Sequence, residues 1–472
     1  MNHLALGIMA IIVIIYVLIS SYIQNKKRTM NRIRSQFGSI PYLDLEKERI
    51  KRLLDSEKYI YDIDDITWND LDMDKIFARI NNCNSFVGEQ VLYKRLHVIE
   101  HDKEEVENRE KLIREFTTDE KRREEVQVLL DRIGKRENSY NLPHFVAEAA
   151  MFQITDIWIY RVMSSLLAGT LLIGIFNQYF LIAAGGIFLI NLLLYAFKRM
   201  HIEVQLELMG TVSHVITIAN TFINKYKINN GKLAQENIES IKKLSKLVKR
   251  IAFIQRKMEL SRSGEIRALI TDYLLGATLF DFHIFHKIVK MLITNKDEFM
   301  KIYMYVGGVD ETISIASFRK SLTQYYLPDF QEKNTIHMGE MYHPLIDDPV
   351  CNDVKMDSNY IVTGSNASGK STYIKAIAVN MILAQSINTV MAKSAEIPYA
   401  NVLTSMAVRD DGPSLDHVRH AADKNLSHVC VVIILALCSQ SFVFFLATAQ
   451  NLSDCGLRVL RETVCVFARK VD

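Results

Sequence analysis

The chain has 472 residues, a length that predicts roughly two or three domains. Its 57 Lys and Arg residues nearly balance its 54 Asp and Glu residues, so the net charge of +3 argues neither for nor against a nucleic-acid partner. Six cysteines without a Cys-x-x-Cys pair exclude a disulfide framework and a zinc site of the usual spacing, and they indicate a reducing compartment.

An apolar segment at the start of the chain is long enough to cross a bilayer. Residues 4–23 (LALGIMAIIVIIYVLISSYI) are about 20 uncharged residues. No basic region precedes them and no small-residue cleavage site follows, which argues against a cleaved signal peptide. Lys26, Lys27 and Arg28 come next, so the chain after them is predicted to be cytoplasmic. Residues 1–29 are therefore interpreted as an N-terminal transmembrane anchor.

A second apolar block predicts a transmembrane helical hairpin over residues 157–199. Asn177 and Gln178 divide it into two arms, IWIYRVMSSLLAGTLLIGIF and YFLIAAGGIFLINLLLYAF, each just long enough to span. Arg161 and Lys198 stand near the outer ends of the arms, on the side that the anchor makes cytoplasmic. The prediction is a multi-pass protein of the cell (plasma) membrane with its other domains in the cytoplasm. A buried helical hairpin in a soluble core is the alternative.

The segments on either side of the hairpin are rich in charge and helix formers, with few Gly or Pro. Residues 30–156 and 200–330 are therefore expected to be mainly helical. One helix of the second segment has an apolar stripe and, on another face, a basic surface. The basic surface consists of Lys242, Lys246, Lys249 and Arg250. It is a candidate contact for the DNA backbone or for anionic lipid head groups, although a charged helix face is usually only solvated.

Two histidines are candidate metal ligands by their spacing. His283 and His286, beside Asp281, have an i, i+3 spacing that suits a metal ion on a helix. No further ligand group accompanies them in the sequence, so core or surface histidines are the favoured interpretation. No Ser-His-Asp, Cys-His or paired-carboxylate pattern stands out as a hydrolytic site.

The strongest chemical motif is YIVTGSNASGKSTYIKAIAVNMILAQ at residues 360–385. Gly364, Gly369, Lys370 and Ser371 fit the Walker A pattern G-x-x-x-x-G-K-[ST], in which backbone N–H groups surround the phosphates of ATP or GTP. Lys370 is predicted to reach the β- and γ-phosphates, and Ser371 to ligate Mg²⁺. The apolar run before the loop predicts a strand. Helical spacing after it predicts a helix whose N-terminus points at the phosphates.

Four stretches together resemble the MutS family of mismatch-repair ATPases and, more closely, its membrane-anchored bacterial relatives. Residues 62–96 are similar to the start of the MutS helical core. Residues 307–330 are similar to its end, where an Asp and a Ser-Ile-Ala turn precede the ATPase domain. Residues 342–377 (YHPLIDDPVCNDVKMDSNYIVTGSNASGKSTYIKAI) are similar to the beginning of that domain, and residues 404–411 (TSMAVRDD) to the segment before its signature loop.

The resemblance implies a homodimer, provided that the ATPase domain is intact, with ATP and Mg²⁺ between two ATPase domains and helical levers that couple the nucleotide to a DNA clamp. The residues that it assigns to nucleotide binding are Gly364, Ser365, Asn366, Ala367, Ser368, Gly369, Lys370, Ser371 and Thr372. Ser365 and Ala367 stand where mismatch-repair members have Pro and Met, and Val350 stands where they have an adenine-stacking aromatic. No segment resembles the mismatch-reading domain, so specific mismatch recognition is not expected.

Half of the expected hydrolytic site is missing from the sequence after residue 411. An ATPase of this type needs an apolar strand that ends in Asp-Glu, whereas VVIILALCSQ at residues 431–440 ends in Cys-Ser-Gln. Composition changes at the same place, because four of the six cysteines lie in residues 412–472. A further transmembrane helix is one explanation. A reading-frame change near Asp411, after which the tail would pack poorly, is the favoured one.

The sequence thus predicts a mainly α protein with a C-terminal α/β P-loop NTPase domain and transmembrane helices at the N-terminus and in a central hairpin. The predicted order is anchor (1–29), helical core (30–156), hairpin (157–199), helical core or lever (200–330), partial ATPase domain (331–411) and atypical tail (412–472). The leading hypothesis is a membrane-anchored MutS-like protein that binds ATP with Mg²⁺, contacts DNA and hydrolyses ATP hardly at all. The alternative is a membrane-associated nucleotide-binding assembly or regulatory module without DNA binding. A transporter has little support, since the hairpin lacks carboxylates.

Overall fold

The computed structural model describes residues 3–41, 46–56, 62–99, 102–228, 237–244, 248, 276–357, 362, 369–405, 429–438 and 441–447. Within these ranges the protein is mostly helical, as predicted. The helices are α1 (His3–Gln36), α2 (Lys47–Ile50), α3 (Arg52–Ser56), α4 (Asp65–Asp70), α5 (Met73–Ile80), α6 (Phe86–His97), α7 (Lys103–Thr118), α8 (Glu120–Ile133), α9 (Leu142–Ala147), α10 (Ile157–Gly174), α11 (Tyr179–Asn224), α12 (Phe280–Thr294), α13 (Lys296–Lys320) and α14 (Lys370–Ile387), with 3₁₀ turns at Glu137–Asn141 and Ala149–Phe152.

In the part of the chain that the structure describes, seven strands form two small sheets. The strands are β1 (Asp329–Phe330), β2 (Ile336–Met341), β3 (Asn352–Met356), β4 (Ser394–Ile397), β5 (Ala400–Ser405), β6 (Val429–Cys438) and β7 (Ser441–Ala447). The first sheet has the order β1-β4-β2-β3, in which β1 and β4 are parallel and the other pairs are antiparallel. In the second sheet, β6 lies between β5 and β7, parallel to β5 and antiparallel to β7. The transmembrane helix considered for the tail is therefore wrong for these residues, which are extended.

Helix α13 is the centre of the helical core, and a buried carboxylate fixes its position against α6. Asp310 has no exposed surface and accepts hydrogen bonds from the backbone N–H groups of Asn84 (3.0 Å) and Ser85 (2.8 Å). The Ser85 hydroxyl also donates to it at 2.6 Å and caps the N-terminus of α6. Gly88 has to lack a side chain, because a Cβ there would lie 2.4 Å from the Asp310 carboxylate.

The Ser-Ile-Ala turn that the resemblance implied is wrong: Ser314, Ile315 and Ala316 lie inside α13, which continues to Lys320. The Ser314 hydroxyl donates to the carbonyl of Ile80 (2.8 Å) and accepts from the backbone N–H of Asn82 (2.8 Å). The hydroxyl thus connects α13 to the segment after α5 instead of ending its own helix, so the backbone stays helical.

The turn of the hairpin lies where the sequence predicted it, but the helix of the second arm continues beyond the apolar residues. Helix α10 stops at Gly174 and α11 begins at Tyr179, on either side of the Asn177–Gln178 break. Helix α11 then runs for 46 residues, about 69 Å at 1.5 Å per residue, from the apolar arm into the helical core. The predicted boundary at residue 199 therefore lies inside a helix.

Among the described residues, three helical segments are long and apolar enough to cross a membrane. Ala149–Gly174 and Tyr179–Lys198 cover the two arms of the hairpin, and only 11% and 17% of these segments are buried in the protein. Val204–Asn224 is 61% buried, so its apolar face is accounted for by packing in the helical core. The predicted anchor at residues 4–23 lies in α1, but most of its side chains are outside the described residues.

Candidate nucleotide-binding site

A cavity of about 680 Å³ lies between the first turns of α14 and the segment that joins β2 to β3. The volume is in the range of small-molecule sites. The lining includes His343, Asp348, Val350, Asp353, Lys370 and Tyr373. These residues come from the beginning and the end of residues 342–377, the stretch that the resemblance placed at the start of the ATPase domain. The fold therefore joins the His-Pro-Leu and Asn-Asp stretches to the Lys-Ser-Thr stretch around one cavity.

The cavity contains the N-terminus of α14. Gly369 precedes the helix with a φ of +81°, a left-handed conformation in which glycine is favoured, and a Cβ there would meet no atom within 4 Å. The conformation and not a lack of space therefore selects glycine. A helix follows the loop, as predicted. Helix α14 begins at Lys370, and its first backbone N–H groups have no partner within the helix. With the helix dipole, such a terminus favours an anion such as phosphate.

Only some of the predicted site residues are among the residues that the structure describes. Gly364, Ser365, Asn366, Ala367 and Ser368 lie outside the described residues. Gly369, Lys370 and Thr372 line the cavity, and Lys370 is only 7% exposed. Ser371, the predicted Mg²⁺ ligand, is half-buried and does not line the cavity. Within the described lining, this turn presents the hydroxyls of Thr372 and Tyr373.

The residues present suit a nucleotide better than an isolated metal ion. Lys370 and the N-terminus of α14 supply positive charge for phosphates, while Asp348 and Asp353 are the carboxylates of the lining. Within the described residues, no group of three or more His, Cys, Asp or Glu side chains could hold a metal ion. Mg²⁺ usually keeps several waters and takes one or two protein ligands plus phosphate oxygens, so a bound nucleotide would have to supply part of its shell.

Side chains of α14 fix the cavity wall, and sequence reasoning did not single them out. The Tyr373 hydroxyl donates to the carbonyl of Asp353 (3.2 Å) and joins the first turn of α14 to β3. The carboxamide of Asn380 donates to the carbonyl of Tyr342 (3.0 Å) and accepts from the backbone N–H of Met391 (2.7 Å). Asn380 is fully buried, and a polar residue at a buried position of an apolar helix is the signal that could have identified it.

Val350 stands at the rim of the cavity and is 81% exposed. It offers no ring for base stacking, in line with the substitution that the sequence showed. The rings that line the cavity are those of Tyr342, His343 and Tyr373. Any aromatic contact to a base would therefore come from this different set.

The imidazole of His343 makes stability depend on pH. Burial lowers the pKa of His343 to about 4, and the positive charge of Lys375 acts in the same direction. Because the folded protein binds this proton less well than the unfolded chain, the free energy of unfolding should fall as the pH drops from 6.5 to 4, by at most about 3 kcal/mol for this residue. Urea unfolding across this window should give a shallower pH dependence for His343→Asn. The exposed His144→Asn variant is the control, and equal slopes for His343→Asn and the unchanged protein would contradict the prediction.

The far end of α14 is held by an arginine of the helical core. Arg319 is 4% exposed and donates to the carbonyls of Ile387 (3.3 Å) and Asn388 (3.0 Å). It also donates to the Thr389 hydroxyl at 2.9 Å. Both carboxylate oxygens of Glu110 accept from it at 2.9 Å, in a bidentate ion pair. The guanidinium therefore connects the helix that begins at the cavity to α13 and α7.

Two further contacts join the cavity region to the front of the helical core. The Lys375 ammonium donates to the carboxylate of Asp72 at 2.7 Å. The backbone N–H of Thr404 donates to the Thr67 hydroxyl (3.0 Å), and the Thr404 hydroxyl donates to Asp70 (2.9 Å). Helix α14 and strand β5 are thus attached to α4 and to the turn after it, within the first MutS-like stretch of the sequence.

The other sequence-predicted candidates are only partly visible. Lys242 is described in the helical residues 237–244, whereas Lys246, Lys249 and Arg250 lie outside the described residues. His283 and His286 lie on α12, on the side that packs against the hairpin, and the His283 Nε2 atom is 3.0 Å from the Ser164 hydroxyl oxygen.

Residues 360–415 match the family model of MutS domain V. A DNA mismatch repair protein MutS of Leuconostoc mesenteroides is 29% identical over 157 residues, which are 31% of this chain and 18% of the relative. The MutS of Staphylococcus haemolyticus is 28% identical over 30% of this chain and 17% of its own length. The MutS of Thermosipho melanesiensis is 44% identical over 18% of this chain and 10% of its own length. The matches span less than a fifth of these relatives, and they support a relationship of this chain to the MutS family.

Proposed function

We propose that the chain is a membrane-anchored, MutS-like protein that binds ATP with Mg²⁺ in the cavity at the N-terminus of α14 and contacts DNA through its helical core. The single observation that carries the nucleotide part is the buried Lys370 at a helix N-terminus, inside a cavity of about 680 Å³. A lysine and a row of backbone N–H groups together suit the phosphates of a nucleotide. The match of residues 360–415 to MutS domain V supports the same site.

Hydrolysis is not part of the proposal for this chain. The strand that runs parallel to β5 is β6, VCVVIILALC, and no Asp-Glu pair follows it in the sequence. Such a pair would hold Mg²⁺ and orient the attacking water. We therefore expect nucleotide binding with very slow hydrolysis. Measuring both the affinity and the hydrolysis rate of Lys370→Ala distinguishes binding from hydrolysis.

The membrane part of the proposal is supported by the surface of the hairpin. Large apolar side chains there face outward, among them Leu172 (65% exposed), Phe176 (91%) and Ile182 (74%). Contiguous apolar surface of this extent is rare on soluble monomers, and the arms have the length of a bilayer span. A bilayer around the hairpin, with the helical core and the ATPase region on its cytoplasmic side, would cover this surface.

The DNA part of the proposal predicts a steep dependence on salt. If the surface formed by Lys242, Lys246, Lys249 and Arg250 contacts phosphates, affinity for duplex DNA should fall with rising salt with a log–log slope of roughly −3 to −4. Reversing all four charges should abolish the salt-dependent binding in a fluorescence anisotropy titration. As a control, reversal of Lys103 and Lys121, which are exposed on α7 and α8, should leave the slope unchanged. Binding that is insensitive to salt, or no binding at low salt, would contradict this part.

A second candidate is a membrane-associated nucleotide-binding assembly module without DNA binding. The observation that favours it is the unbroken α11, which contains the second hairpin arm and part of the helical core in one helix. A core attached directly to a membrane segment is suited to transmit a nucleotide-dependent change to neighbouring membrane proteins. Absence of DNA affinity at low salt, together with retained nucleotide binding, would support this candidate.

A further inference from the structure

Five basic residues surround the foot of the hairpin, where α10 packs against α12. The foot cluster consists of Arg161 on α10 and His283, His286, Lys287 and Lys290 on α12. The four α12 positions follow i, i+3, i+4 and i+7 spacing, which places them on one side of the helix. Arg161, Lys287 and Lys290 are exposed, and the two histidines are half-buried.

Hydrogen bonds hold the two helices together at this place. The Ser164 hydroxyl of α10 is 3.0 Å from the His283 Nε2 atom and 2.9 Å from the carbonyl of Thr278, just before α12. On the second arm, the buried Asn191 donates to the carbonyl of Ala277 at 2.9 Å. The start of α12 is therefore fixed against both arms of the hairpin, and the cluster has a defined position relative to them.

The charged side chains of the foot cluster, Arg161, Lys287 and Lys290, are all cations. Burial lowers the pKa values of His283 and His286, and the positive charge of Arg161 acts on both in the same direction. The buried carboxylate on α12, Asp281, is engaged by the Tyr195 hydroxyl at 3.1 Å. Asp156, at the start of α10, is the exposed acid nearest in sequence to Arg161. The two exposed lysines and Arg161 together carry more positive charge than Asp156 carries negative charge. The foot of the hairpin is therefore electropositive.

The surroundings of the cluster indicate which anion it would bind. Trp158, Ile159 and Val162 are exposed on the same part of α10 as Arg161. An aromatic ring and aliphatic side chains beside cations are typical of the boundary between hydrocarbon and head groups. The apolar surface continues from there along both arms, so a polyanion such as DNA would meet lipid-facing side chains on approach. We propose that the foot cluster binds the phosphates of anionic phospholipid head groups at the cytoplasmic surface of the membrane.

This inference rests on the proposed membrane location of the hairpin, and one experiment can separate the two. The chain has two tryptophans, of which Trp158 is 62% exposed beside the cluster and Trp68 is 1% exposed in the helical core. The full chain is reconstituted in phosphatidylcholine vesicles that contain a minor share of phosphatidylglycerol. Bromine is placed on the acyl chains of one lipid or of the other, at constant composition. Quenching of Trp158 then reports the local share of each lipid, while the buried Trp68 gives a constant background.

We expect brominated phosphatidylglycerol to quench Trp158 more than its bulk share predicts, by roughly two- to fivefold in local enrichment. The double variant Arg161→Glu, Lys290→Glu should remove the enrichment and keep the quenching by brominated phosphatidylcholine, which shows that the hairpin is still inserted. The control Lys103→Glu, Lys121→Glu changes the net charge equally and should keep the enrichment.

Two outcomes would overturn the inference. Quenching by phosphatidylglycerol at its bulk share, with normal quenching by phosphatidylcholine, overturns the lipid site and leaves the membrane location standing. Quenching by neither lipid overturns both, because the hairpin would then lie outside the bilayer.

Discussion

Replacement of Arg319 by Ala should lower the free energy of unfolding by about 3–5 kcal/mol. The change leaves the carboxylate of Glu110 buried without its bidentate partner, and it removes the donors to the carbonyls of Ile387 and Asn388 at the end of α14. Removing one partner of a buried ion pair costs more than the pair itself contributes, because the remaining charge stays desolvated. Urea unfolding of the full chain in detergent, followed by circular dichroism, measures the effect.

Arg114 provides the matched control, because it approaches the same carboxylate of Glu110 at 3.6 Å from an exposed position. Arg114→Ala should cost less than about 1 kcal/mol, since solvent screens the pair. A second readout is pH. Burial raises the pKa of Glu110, but the hydrogen bond and charge of Arg319 outweigh it and the pKa is lowered. The stability from this pair is therefore present above about pH 4.3 and is lost as the pH falls through the lowered pKa. The difference between Arg319→Ala and the unchanged protein should shrink in acid, and a constant difference would count against the ion pair as its cause.

Replacement of Lys370 by Ala should weaken the binding of MgATP by roughly one to two orders of magnitude, the loss expected for hydrogen bonds to a charged partner. Lys370 is 7% exposed and lines the cavity at the N-terminus of α14, so its ammonium group is largely shielded from solvent. Isothermal titration calorimetry, or a fluorescent ATP analogue, measures the affinity. Lys393→Ala is the control, because Lys393 is exposed, pairs with Glu340 and does not line the cavity.

The rate of ATP hydrolysis tests the expectation that this chain binds ATP but hydrolyses it very slowly. The unchanged chain should release phosphate far more slowly than P-loop ATPases with an intact Asp-Glu pair. Rapid release that Lys370→Ala abolishes would show that a carboxylate elsewhere completes the site. Equal affinity of Lys370→Ala and the unchanged chain for MgATP would instead remove the cavity as the nucleotide site.

Local patterns in the sequence predicted the helices of this protein well. The recurrence of Ile374, Ile377, Met381 and Ile382 predicted a helix after the loop, and α14 has all four buried. The Asn177–Gln178 break predicted the turn between the hairpin arms, because these two polar residues interrupt the apolar run. Neither result needed information about distant parts of the chain.

Contacts between distant segments could not be predicted from the sequence. Arg319 and Glu110 are 209 positions apart, and a charged residue in a helix is usually solvated, so nothing local marks them as a buried pair. The apolar part of the second arm, Tyr179–Lys198, ends where the sequence predicted, but the helix continues beyond it to Asn224. A change from apolar to charged residues near Lys198 marks a change of surroundings, but it does not end a helix. The anchor, the phosphate loop before Gly369 and the frame change stay predictions.

The continuous helix α11 limits the symmetry of any dimer of this chain. The same rod holds a hairpin arm and part of the core, so the core cannot reorient freely relative to the arm. If both hairpins of a two-fold pair lie in one bilayer with their cores on the same side, the symmetry axis has to be parallel to the membrane normal, since an axis in the membrane plane would place the two cores on opposite sides. The two copies of the cavity at the N-terminus of α14, related by that axis, would lie at the same distance from the membrane.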